Sequence, residues 1–148
     1  PQQPPPQPAP TLDRQTFCTH VCQTGNACGI PLTNCMNGCV FNNNSVACMA
    51  RVDAAGNLAC HTFSQCLFAT NCAGNVPNGA STCAQAAQCQ FNNCKLGDTA
   101  CGCACALGMA PPHTWALARF DGCSLACSGN AACMRQNCPQ IVNACMAE

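Results

Sequence analysis

Twenty of the 148 residues are cysteine, and no two of them are spaced as Cys-x2-Cys. That missing pair is the usual element of zinc ribbons and knuckles, of thioredoxin-like redox sites and of c-type haem attachment, so three classes of site lose their main sequence support. An even count at about one residue in seven reads instead as a disulfide framework. A reducing cytosol would hold such a chain as thiols, so the protein is expected outside the cytosol, extracellular or at a cell surface. The first residue is Pro1 rather than Met, which fits removal of a signal peptide.

The framework has to carry the fold because little else can. Leu, Ile, Val and Phe together are 22 of 148 residues, too few for an ordinary hydrophobic core. Disorder is the usual fate of such a chain when its charge is high, but here five basic residues balance five acidic ones. The expected bridges use Cys18, Cys22, Cys28, Cys35, Cys39, Cys48, Cys60, Cys66, Cys72, Cys83, Cys89, Cys94, Cys101, Cys103, Cys105, Cys123, Cys127, Cys133, Cys138 and Cys145. At about 100° per residue, Cys60, Cys66 and Cys72 point to three different faces of any helix carrying them, which suits bridges to several neighbours and not one thiolate-lined metal core. In "CGCAC", positions 101 to 105, cysteines on alternate residues cannot bridge comfortably to one another, so each is expected to reach a different partner.

"PQQPPPQPAP" at positions 1 to 10 must be extended, because proline fixes φ and cannot donate a hydrogen bond. Residues 1–12 are therefore expected to form a tail, with Pro1, Pro4, Pro5, Pro6, Pro8 and Pro10 docking on a neighbouring copy. Residues 13–148 read as short helices punctuated by Gly, Asn and Pro: one from a Thr11 cap to Gly25, others ending at Gly56, Gly74, Gly97 and Gly122, and short segments to the end. Strand signals are nearly absent. The spacing Cys-x5-Cys-x4-Cys-x6-Cys occurs at 83/89/94/101 and again at 127/133/138/145, consistent with two or three degenerate repeats. The fold class is all-α: a disulfide-rich stack of short helical hairpins with little strand.

"GDTACGC", in which Asp98 stands three residues before Cys101 and Cys103, followed later by Cys123-x3-Cys127, resembles part of the fungal CFEM signature. The resemblance implies a small disulfide-linked helical domain at a cell surface that can bind haem through an aspartate. The matching residue is Asp98. The chain departs from that pattern in having many more cysteines than the eight of that family and a longer gap from Cys103 to Cys123.

The polar inventory is thin. His20, His61 and His113 are the only histidines, no His is followed by Asp, and neither a Gly-x-Ser-x-Gly elbow nor a phosphate-binding glycine loop is present. No catalytic residue, resident metal or cofactor is expected. Asp98 and Asp121, each beside a glycine, read as cap or turn residues. A net charge of zero with no basic cluster argues against a nucleic-acid partner and leaves little to keep copies apart; no run of eighteen apolar residues would span a membrane. The reading these features favour is a secreted structural protein, a subunit of an extracellular fibre, sheath or surface coat whose partner is itself. The alternative is a secreted binding module for a small apolar ligand, for haem, or for a protein partner as in effectors and inhibitors.

Overall fold

The computed structural model describes residues 12–148 together with Gln3 and Pro5. Of the expected docking prolines, Pro5 is described and is exposed; Pro1, Pro4, Pro6, Pro8 and Pro10 lie outside the described residues, as does Thr11. Helix α1 (Arg14–Ala27) is capped by Asp13, whose Oδ1 accepts from the Thr16 N–H at 2.7 Å. After α2 (Cys35–Gly38), α3 (Asn43–Asp53) opens on a reciprocal capping box between Asn42 and Ser45. A 3-10 turn at Gly56–Leu58 leads into α4 (Ala59–Asn71), and α5 (Cys83–Asn93) opens on a second capping box, Thr82 with Gln85. These short polar side chains occupy backbone N–H groups that have no partner inside the helix, and so mark where each helix begins.

The C-terminal part continues with α6 (Thr99–Leu107), α7 (Thr114–Ala126), α8 (Ala131–Asn137) and α9 (Pro139–Met146). Helix α6 contains "CGCAC" and is one the punctuation by glycine did not anticipate. Among the described residues, strand is confined to one bridge between Ser81 and Met109.

Two expected helix ends are corrected. Helix α1 runs through Gly25 and α7 runs through Gly122. Neither glycine turns the chain; each clears space. A Cβ on Gly25 would overlap the Leu32 side chain, and one on Gly122 would overlap the Pro31 carbonyl, so both glycines let the loop at 30–33 lie against helices. Of the glycines that follow helix ends, Gly29, Gly56, Gly74, Gly97 and Gly129 have positive φ, the conformation that punctuation by glycine depends on, whereas Gly108 after α6 keeps a negative one.

All twenty cysteines pair within the chain, in ten bridges. As their directions on the helix require, Cys60, Cys66 and Cys72 go to three places: Cys28 at the end of α1, Cys48 on α3 and Cys103 on α6. The "CGCAC" cysteines also take separate partners, Cys101 with Cys94, Cys103 with Cys72 and Cys105 with Cys89. Cys18–Cys39 and Cys22–Cys35 fasten α1 to the α2 region. At the far end Cys83–Cys145, Cys123–Cys138 and Cys127–Cys133 tie α5 and α7 to the last two helices. The two similarly spaced quartets pair differently, since Cys127–Cys133 closes within its own quartet while Cys83 reaches Cys145 of the other.

This connectivity divides the molecule. Every bridge lies either within residues 18–66 or within residues 83–145 except one, Cys72–Cys103. Two internally stapled halves are thus joined covalently by one bridge and by the connecting chain. Between them α4 packs on α7 without a bridge, burying Phe63, Leu117 and Phe120. Trp115 adds a tie from α7 back to the first half, donating from Nε1 to the Cys28 carbonyl at 2.9 Å, with the Arg119 guanidinium over its ring. Buried cystines take the place of the scarce aliphatic side chains: Cys18, Cys28, Cys48, Cys66, Cys83, Cys123 and Cys145 all belong to the core.

Candidate ligand cleft at the seam between the halves

Pockets form where separately packed units meet, because neither side's packing fills the junction. Here the junction carries two. A cleft of about 510 Å³ lies between the end of α4, the C-terminal end of α5, the loop at 94–98, the first turns of α6 and the last turns of α7. The apolar part of its wall is made by Phe91, Leu96, Phe120 and Leu125, with Phe68 contributed by α4. Phe91 stands edge-on to Phe120, ring centroids 5.8 Å apart, which fixes the two rings as a corner. The Cys72–Cys103 bridge, the one that joins the halves, forms part of the same wall.

A second cleft of about 340 Å³ opens toward α1, α3 and the loop at 30–33. Phe68, Asn71, Asp121 and Leu125 line both, and so form the partition between them. Three of the exposed large apolar side chains of the molecule, Phe91, Leu96 and Leu125, stand on the walls of the larger cleft.

Asp121 is the one acid in that partition. Its carboxyl is packed by protein on nearly every side although part of the residue reaches the cleft surface. Burial pushes it up from 3.8 to about 7, against a smaller opposing pull from the Gln90 amide, which donates to Oδ2 at 3.4 Å. The same amide nitrogen donates to the Gly102 carbonyl at 3.3 Å, so Gln90 links α5 to both α6 and α7 under the cleft. The ion pairs among the described residues are His20 with Asp53 and His113 with Glu148, so Asp121 is left without a cationic partner. This corrects the expectation of a turn or cap residue: Asp121 sits inside α7, because α7 does not stop at Gly122.

Asp98 does behave as a cap. Its Oδ1 accepts from the Cys101 N–H at 3.1 Å at the start of α6. It also stands on the rim of the larger cleft with Lys95, both exposed, so the two opposite charges of the rim offset one another. Asp98, the residue that the CFEM resemblance implies for haem, is among the residues lining this cleft.

The remaining candidates lie elsewhere. His20 Nε2 is 2.8 Å from Asp53 Oδ1, His61 meets Gln65 at 3.3 Å, and His113 Nδ1 is 2.6 Å from Glu148 Oε2; none lines either cleft. The sulfurs of Cys123, Cys127 and Cys138 lie within 4.8 Å of one another, but all three belong to bridges and offer no thiolate. Among the described residues no helix is long and apolar enough to cross a membrane.

Sequence patterns single out Asp98 for a ligand but miss Asp121 and the seam. One signal is present: in "LARFDG" an acid directly follows Phe120 in a helical stretch, in a chain with only five acids. Comparison with protein-family models, with curated proteins and with solved structures finds no match in any of the three.

Proposed function

We propose that the protein is an extracellular, disulfide-locked binding module that holds a small apolar ligand in the cleft between α5, α6 and α7. The observation that carries this reading is the cleft itself: about 510 Å³, within the range of small-molecule sites, with aromatic and aliphatic side chains beside polar ones such as Asn71, Gln90, Thr99 and Ser124. The bridges support it in a second way. Helices stapled on both sides of the cleft lose little freedom when a ligand arrives, so less of the binding energy is spent on ordering them. Ten disulfides also fit an oxidising compartment.

The test is binding of Nile red, an uncharged apolar dye, to the wild type and to Leu125→Lys. Leu125 is 56 % exposed at the cleft wall, so the substitution leaves packing nearly unchanged while placing a charge against the dye. Loss of one apolar wall contact of about 1.4 kcal/mol weakens binding about tenfold. Equal dye binding by the two proteins overturns the reading.

Haem is a second candidate occupant, favoured by one observation, the position of Asp98 on this cleft's rim. Asp98 would supply the oxygen ligand, and Phe91, Leu96 and Leu125 apolar surface for the ring. A Soret band on adding haem that is lost in Asp98→Ala supports it; the same band in both proteins refutes it.

Assembly into a fibre, sheath or coat remains a separate proposal, supported by the neutral charge and the durability that ten bridges confer. With every cysteine paired inside the chain, such an assembly would be held by noncovalent contacts.

A further inference from the structure

Resting on the cleft reading above, we infer that the ligand is an apolar molecule carrying one ammonium group, with Asp121 as its counter-ion and Phe91, Phe120 and Leu125 around its hydrocarbon body. An enclosed carboxyl is unfavourable to ionise unless something positive lies beside it. Among the described residues no cationic side chain is paired with it. Gln90 donates a single hydrogen bond to Oδ2, and the ion pairs of the described residues lie elsewhere. Of the elements packed on α7, α9 carries no ionisable side chain, and neither Arg135 of α8 nor His113 of the turn at 111–113 lines the cleft. Helix α5 carries no ionisable side chain, and on α4 the only one is His61, which does not line the cleft. Lys95 and Asp98 face the cleft from its exposed rim. Arg119, two residues before Asp121 on α7, lies over Trp115 instead. An enclosed polar group of the cleft wall is therefore an acid lacking a cation, and the ligand chemistry that complements it beside Phe91, Phe120 and Leu125 is a cation with an apolar body.

The elevated ionisation of Asp121, at about pH 7, gives this a proton signature. At pH 6 the carboxyl is largely protonated; an arriving ammonium favours the carboxylate, and the displaced proton goes to the buffer. A hydroxyl compound of the same length gains no comparable ion pair and displaces no proton.

The probes are dodecylammonium chloride and 1-dodecanol, each competing with Nile red on the full chain below its aggregation limit. The expected result is tighter binding of the amine by about tenfold or more at pH 7.5, with the preference lost in Asp121→Asn while dodecanol binding is retained. Calorimetry at pH 6 in two buffers of different ionisation enthalpy should show release approaching one proton per amine and none per dodecanol. A measurement that needs no variant is the pH series on the wild type. Amine affinity should rise roughly twentyfold between about pH 5.5 and 7.5, following the ionised fraction of a group titrating near 7, while dodecanol affinity stays level. Equal affinity for the two probes in both proteins, with no proton release, overturns the role of Asp121 and leaves the cleft reading intact. Failure of both probes and of the dye overturns the cleft reading and this inference together.

Discussion

Replacing Asp121 by Asn should stabilise the protein at pH 8 and leave it nearly unchanged at pH 4. In the folded chain the carboxyl titrates near 7, raised by burial from 3.8. Below the unfolded value both states are protonated and the full stability is present. Between about pH 4 and 7 the unfolded chain has given up its proton and the folded chain has not, so stability falls with rising pH; above about 7 it levels off. The gap between 3.8 and about 7 corresponds to about 4 kcal/mol at 1.36 kcal/mol per pH unit. Part of the residue reaches the cleft surface and water relaxes the penalty there, so about 2–3 kcal/mol is the expected loss. The amide keeps the shape and can still meet Gln90, but has no charge to desolvate. The assay is guanidinium unfolding of both proteins, disulfides intact, at pH 4, 6 and 8, followed by circular dichroism. Wild-type and Asp121→Asn curves that run parallel over the whole range, or a variant less stable at pH 8, would refute the argument that this carboxyl is desolvated. A carboxyl kept where it costs stability is also the behaviour expected of a binding group.

Gly122→Ala should destabilise the fold by about 1–3 kcal/mol, because its Cβ would overlap the Pro31 carbonyl and push the loop at 30–33 off α7; chemical denaturation checks it. Removing the one bridge between the halves, as Cys72→Ser with Cys103→Ser, should cost about 2–4 kcal/mol and also weaken Nile red binding, since both residues line the larger cleft. The same pair of changes at Cys22 and Cys35, neither of which lines that cleft, should lower stability while leaving dye binding in it unchanged. If the tail drives assembly, sedimentation of the full chain at high concentration will show oligomers that a chain lacking residues 1–12 does not form; identical monomer profiles would sink that proposal.

The helical, cystine-stapled class of this protein was legible before any coordinate. Twenty cysteines with few large aliphatic residues and balanced charge leave a cross-linked framework as the stable solution, and helix directions alone sent Cys60, Cys66 and Cys72 to three different partners. Capping is a local interaction, so Asp98 was legible as a cap, while the first helix takes Asp13 as its cap in place of the expected Thr11. Glycine misled at positions 25 and 122 because its two uses, turning a chain and clearing space for a neighbour, look identical in sequence; only the nearness of Leu32 and Pro31 separates them. That ambiguity hid the site, since a helix ending at Gly122 makes Asp121 an ordinary turn residue. The pairing of the cysteines, the two halves it staples and the cleft left between α4, α5 and α7 all depend on contacts between residues far apart in the chain. Burial is a property of those contacts, so the tertiary structure alone decided that the carboxyl of Asp121 is held up near 7.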